Sequence, residues 1–233
     1  GMLVWQDMVN GGSAYKHWFV TYLATLMNWN HISFSDDEKH AGLLSRLHPE
    51  GKDEFRREIT ETIAFLYNHP SIVVWVPFNE GWGQFDARLV DHASGWFDQK
   101  GGDILSLHYY FLKLKFKPES KRAAALTEFG GYSLSIPGHS CCKKVYGYKK
   151  FNSTGTLTYG YIDLIRQTIL PAVKKGIGAT VYTQLSDIEE ETNGIYTYDR
   201  EICKIDPDTL RKWNRALKEA GECKTYADHT TDH

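Results

Sequence analysis

The chain has no excess of either charge: Lys+Arg 27 against Asp+Glu 29 leaves a formal net charge of −2. Nothing here can neutralise a row of phosphates or seek anionic lipid, so no nucleic-acid partner is expected. No uninterrupted apolar run approaches the roughly 20 residues that span a bilayer, so no membrane partner is expected either. The N-terminus lacks the basic-then-apolar pattern of a signal peptide, and the compartment stays open between periplasmic, secreted and cytoplasmic. Cysteine is sparse: Cys141, Cys142, Cys203 and Cys223 have neither metal-ligand spacing nor the density of a disulfide scaffold. There is no internal repeat and no low-complexity tract.

What is present is an ordinary globular balance, 42% hydrophobic and 24% charged, over 233 residues, a length that suits one barrel of alternating strands and helices. Short apolar runs alternate with longer helical patterns, as in parallel strands joined by helices. Strands are expected at Leu3 to Trp5, Ile72 to Phe78, Ile104 to Tyr109, Ala124 to Phe129 and Ala179 to Leu185. Residues 53 to 67 place Phe55, Ile59, Ile63, Phe65 and Leu66 near one helical face, with Asp53 as the N-cap, and Pro70 stops the helix. Further helices are expected at Tyr161 to Lys175, kinked by Pro171, and at Asp208 to Glu219. Residues 10 to 50 and 130 to 158 read as loops over one end of the sheet, and Cys223 to His233 as a disordered tail beyond one domain, 1 to 222.

Two glutamates close strand runs. Glu80 follows IVVWVPFN and Glu128 follows AALT, so each sits where a parallel strand ends, the face on which barrel active sites are built. Hydrolysis of a glycosidic bond with retention needs two carboxyl groups about 5 Å apart, one protonated and one ionised. The histidines offer less, because His92, His108 and His139 lie on separate segments with no metal-site spacing, and no metal or other cofactor is expected.

NHPSIVVWVPFNEGWGQ, residues 68 to 84, resembles the acid/base segment of glycoside hydrolase family 2, the β-galactosidase and β-glucuronidase family. LVWQDM (3 to 8) is similar to that family's third barrel strand, LVDHASGW (89 to 96) to its fifth and DILSLHYY (103 to 110) to its sixth. LTEFGG (126 to 131) is similar to its seventh strand, which bears the nucleophile, and GATVYTQLSD (178 to 187) to its eighth. The resemblance implies an α/β fold derived from a (β/α)8 TIM barrel, a carbohydrate substrate, Glu80 as acid/base and Glu128 as nucleophile. It further implies that Asn79 bonds the sugar 2-hydroxyl and that Tyr110 hydrogen-bonds the nucleophile. His108, Trp82, Gln184 and Asp187 are candidate sugar contacts, though a helix cap or loop salt bridge explains each as well. Asp7 either touches sugar or orders the rim.

Against the family pattern, the chain opens at the third strand, so the barrel is expected to be incomplete, lacking its first two strand-helix units. Strand edges left open in that way call for a homo-oligomer or for N-terminal domains to cover them. Residues 85 to 97 fit either a fifth strand or a helix. The expected function is therefore a retaining hydrolase of β-glycosidic bonds, impaired in this chain. The alternatives are an inactive carbohydrate-binding relative and a non-functional fragment of a larger hydrolase.

Overall fold

The computed structural model describes residues 2–9, 22, 26, 49–79, 98, 102–110 and 114–225. These residues make a mixed α/β protein with small parallel sheets, in two compact units, 1–107 and 108–233.

In the first unit, strand β1 (Val4–Asp7) pairs in parallel with β2 (Ile72–Val76), Asp7 opposite Val76. Helix α1 (Pro49–Leu66) joins them along the chain. It starts at a proline, whose missing N–H costs nothing in a first turn. The helix therefore begins a turn before the expected Asp53 cap, and Asp53 instead pairs with Arg56 at 3.2 Å on the exposed face. Phe55, Ile59, Ile63 and Leu66 form the less exposed stripe, and Phe55 stacks on Phe78 with ring centroids 5.3 Å apart. Phe65, expected near that stripe, is 83% exposed, because one step of helical rotation from Leu66 carries it outward. The chain turns at His69, whose N–H reaches Leu66 O at 3.0 Å, ahead of Pro70.

The second unit is built on β4 (Ala123–Gly130), flanked in its sheet by β7 (Ile177–Thr183) and by β3 (Ile104–Tyr109), whose last two residues, His108 and Tyr109, belong to this unit. Burial along β4 is nearly continuous from Ala124 to Gly130, as befits a central strand covered on both faces. β4 and β7 are parallel, with Leu126 opposite Thr180 and Gly130 opposite Thr183. A parallel pair needs a long crossover, supplied here by α2 (Thr154–Leu164), a π-helical turn (Ile165–Ile169) and α3 (Leu170–Lys175). Ser153 and Thr156 close a capping box at its start, and Gly176, in left-handed geometry, ends it.

The expected kink at Pro171 takes the form of that π turn. Proline offers no N–H and crowds the carbonyl four residues earlier. Here the turn just before it has widened, with Leu170 N–H bonding Ile165 O. The buried stripe Leu157, Tyr161, Leu164, Ile165, Ile169, Ala172 and Val173 runs unbroken through it. Helix α4 (Pro207–Thr225) is capped by Asp206, which accepts from Thr209 N at 2.7 Å, and packs on α3. It is longer than expected, so Cys223, Lys224 and Thr225 are helical rather than tail. The stretch 130–158 is not all loop: β5 (Tyr132–Ser133) pairs with β6 (Lys149–Lys150), and α2 starts inside it.

Candidate active site

Glu128 lies near the end of β4, half-buried, its side chain 23% exposed. Beside it, His108 near the end of β3 and Tyr110 just past it come to the same place. The Tyr110 hydroxyl donates a hydrogen bond to Glu128 Oε2. His108 Nδ1 lies 3.4 Å from the same oxygen, with its side chain fully buried. On the third strand, Thr183 Oγ1 is 3.2 Å from the Tyr110 hydroxyl. Three neighbouring strands thus converge on one carboxylate at their ends.

Tyr110 is held protonated. Its pKa rises well above the ordinary 10.0, first through burial and then through the negative charge of Glu128 and the hydrogen bond to it. Its ring stacks on Tyr148 with centroids 3.9 Å apart, and Tyr146 meets Tyr148 edge-on at 6.0 Å. Gly131 makes room for this stack: at φ +60°, a Cβ there would sit 2.4 Å from Tyr148 and 3.1 Å from Tyr110. The result is an aromatic wall next to a carboxylate.

The remaining candidates are placed as follows. Gln184 follows β7 and donates to Asn193 Oδ1 at 2.7 Å and Glu191 Oε2 at 3.0 Å, so it anchors its own loop. Asp187 is 3% exposed and its Oδ1 accepts from Lys204 Nζ at 2.7 Å and Gly194 N at 2.8 Å. This is the loop salt bridge that the sequence left as the alternative to a sugar contact. Burial pushes the Asp187 carboxyl up and the Lys204 ammonium down, and each opposes the other's shift by its charge. Asp7, exposed at the end of β1, and Asn79, half-buried after β2, belong to the first unit. Glu80, Trp82 and residues 85–97 lie outside the described residues.

Tyr148, Tyr146 and Thr183 were not singled out by sequence. The two tyrosines sit in a stretch read as loop, where the only signal is the YGY triplet; Thr183 lies within the strand run, one residue before Gln184. No protein-family model matches the chain, and no curated protein matches it.

Proposed function

We propose that this chain is a retaining glycoside hydrolase acting on β-glycosidic bonds, similar to the β-galactosidase and β-glucuronidase family, with Glu128 as nucleophile and Glu80 as acid/base. The observation that carries the reading is the hydrogen bond from the protonated Tyr110 hydroxyl to Glu128 at the end of β4. The ordered sequence segments that resemble barrel strands support it, as does the parallel pairing of β4 with β7. On this reading the strands belong to a (β/α)8 barrel whose active face is their C-terminal end.

Each group then has a task. A Glu128 oxygen attacks the anomeric carbon as the glycosidic C–O bond breaks, and Glu80 gives its proton to the departing oxygen. Glu80 next takes a proton from water, the resulting hydroxyl attacks the anomeric carbon, and the ester bond to Glu128 breaks. Tyr110 fixes Oε2 so that the carboxylate meets the sugar in one orientation. Asn79 would bond the 2-hydroxyl, where a hydrogen bond strengthens as the ring flattens.

The test traps the first step. A 2-deoxy-2-fluoro-β-glycosyl fluoride needs little acid assistance, because fluoride is a good leaving group, so labelling reads the nucleophile directly. The gluco, galacto, manno and glucurono compounds should be compared by intact mass and peptide mapping. One of them should leave a glycosyl ester on Glu128, and Glu128→Gln should carry none. A label on another carboxylate, or no label from any of the four on folded protein, overturns the assignment. If the unlabelled protein is nonetheless stabilised against heat by one sugar, the carbohydrate-binding alternative takes its place.

A further inference from the structure

Away from Glu128, the second unit brings together a second set of ligating groups that sequence spacing did not reveal. His139 stands in the segment after β5, and Asp199 and Glu201 stand two apart in the turn before Cys203. His139 Nδ1 lies 2.7 Å from Asp199 Oδ2 and 3.8 Å from Glu201 Oε2, and the three ligating atoms all fall within 4.8 Å of one another. We propose that His139, Asp199 and Glu201 form a binding site for one divalent transition-metal ion.

The geometry adds a third ligating atom, from Glu201, to a histidine-carboxylate pair. Ligands at about 2.0–2.2 Å from a tetrahedral ion stand about 3.3 Å apart. The two separations from His139 Nδ1, 2.7 and 3.8 Å, bracket that spacing, so shifts of about half an ångström on flexible side chains would bring both to it. A third donor faces the same point, which an isolated His-Asp hydrogen bond does not require.

The carboxylate is also held from behind, as ligating carboxylates are. Asp199 Oδ1 accepts from Thr197 Oγ1 at 2.6 Å and from Glu201 N at 3.2 Å, which turns Oδ2 toward His139. Thr197 is fully buried and its hydroxyl accepts in turn from Ile202 N at 3.1 Å, so the support is rooted in the core. The two segments are joined by Tyr198 N–H to His139 O at 3.3 Å. The side chains of His139 and Asp199 are 28% and 35% exposed, enough for an ion to enter without unfolding and for water to complete its shell.

One imidazole and two carboxylates suit zinc and manganese, with manganese the better probe because carboxylate and water are among its preferred ligands. Manganese also avoids the adjacent thiols of Cys141 and Cys142, which would compete for zinc. The site does not depend on the hydrolase reading.

The experiment is a Mn2+ titration of the full chain by calorimetry and by loss of the free-ion paramagnetic resonance signal. Wild type should bind one ion per chain at this site, and its melting temperature should rise with Mn2+. His139→Ala, Asp199→Asn and Glu201→Gln should each weaken that binding by about tenfold or more and remove the thermal shift. Cys141→Ser should change neither. Glu201 is 71% exposed, so Glu201→Gln keeps the test valid should a variant at either other position fail to fold. Binding of equal affinity in wild type and all three variants, or no binding by folded wild type, overturns the proposal.

Discussion

At Tyr110 the hydroxyl meets both Glu128 and Thr183 and has one proton to give. The proton goes to the carboxylate, the stronger acceptor, and Thr183 Oγ1 at 3.2 Å is the weaker partner. A hydrogen bond to a charged group contributes about 1.5–3 kcal/mol, which converts to about 10- to 150-fold in rate if it is realised at the transition state. Tyr110→Phe should therefore slow the labelling of Glu128 by that factor. It should barely change thermal stability, because the stack on Tyr148 is kept. Thr183→Val, one step further from the carboxylate, should slow labelling less. A Tyr110→Phe protein that is labelled at the wild-type rate would remove Tyr110 from the mechanism. Gly131→Ala should act through the same ring: a Cβ in strained geometry at 2.4 Å from Tyr148 forces the stack apart. It is expected to destabilise by about 1–3 kcal/mol and to slow labelling with it, as urea unfolding alongside the rate would reveal.

At the scale of elements, α4 depends on its first turn. Asp206 accepts from the backbone of Thr209, and hydrogen bonds from the Thr209 side chain and backbone hold its carboxyl below the ordinary 3.8. A carboxyl lowered by folding contributes stability that is present above 3.8 and lost as pH falls through its folded-state value. Asp206→Asn keeps a capping oxygen but no charge. The stability gap between wild type and this variant should stay constant near neutrality and close as pH drops below about 3.8; a gap that is flat down to pH 2 would show that the charge plays no part.

The same helix shows what local sequence could and could not convey. Its place at Asp208 to Glu219 was readable, and so were the strands β3 and β4. Asp53 misled because an N-cap signal four residues inside a helix looks the same as one at its start; Pro49 was the truer mark. Phe65 misled because adjacency to Leu66 was taken for a shared face. In the candidate site, Glu128 was legible because it ends a strand run, and His108 and Tyr110 through the resemblance of residues 103 to 110 to a barrel strand. Tyr148 was not, since its place depends on Gly131 and on the pairing of β5 with β6, contacts between residues 17 apart with no periodic pattern. His139 and Asp199 are farther apart still, 60 residues in sequence and hydrogen-bonded in space.

Across the second unit as a whole, a single ammonium joins distant segments. Lys204 is fully buried, and its Nζ gives three hydrogen bonds: to Leu134 O at 2.9 Å, Thr192 O at 2.9 Å and Asp187 Oδ1 at 2.7 Å. These acceptors lie after β5 and in the loop after β7, the two segments that follow the strands carrying Glu128 and Thr183. An ammonium has three protons, and here all three are used. The opposing carboxylate is less well served, since Asp187 Oδ2 is buried with no hydrogen-bond partner. Removing the cation alone leaves a buried carboxylate without its counter-charge, which costs about 3–5 kcal/mol, whereas replacing both partners by apolar groups is often near neutral. Lys204→Met should therefore lower stability by about 3–5 kcal/mol in urea unfolding. Lys204→Met with Asp187→Leu should recover part of the loss but not all of it, because Leu134 O and Thr192 O lose their donor in both proteins. If the pin also sets the loops around Glu128, the double variant should label Glu128 more slowly than wild type even where it is fully folded. Labelling at the wild-type rate would confine Lys204 to stability, and a double variant no more stable than Lys204→Met would show that the stranded carboxylate is not the source of the loss.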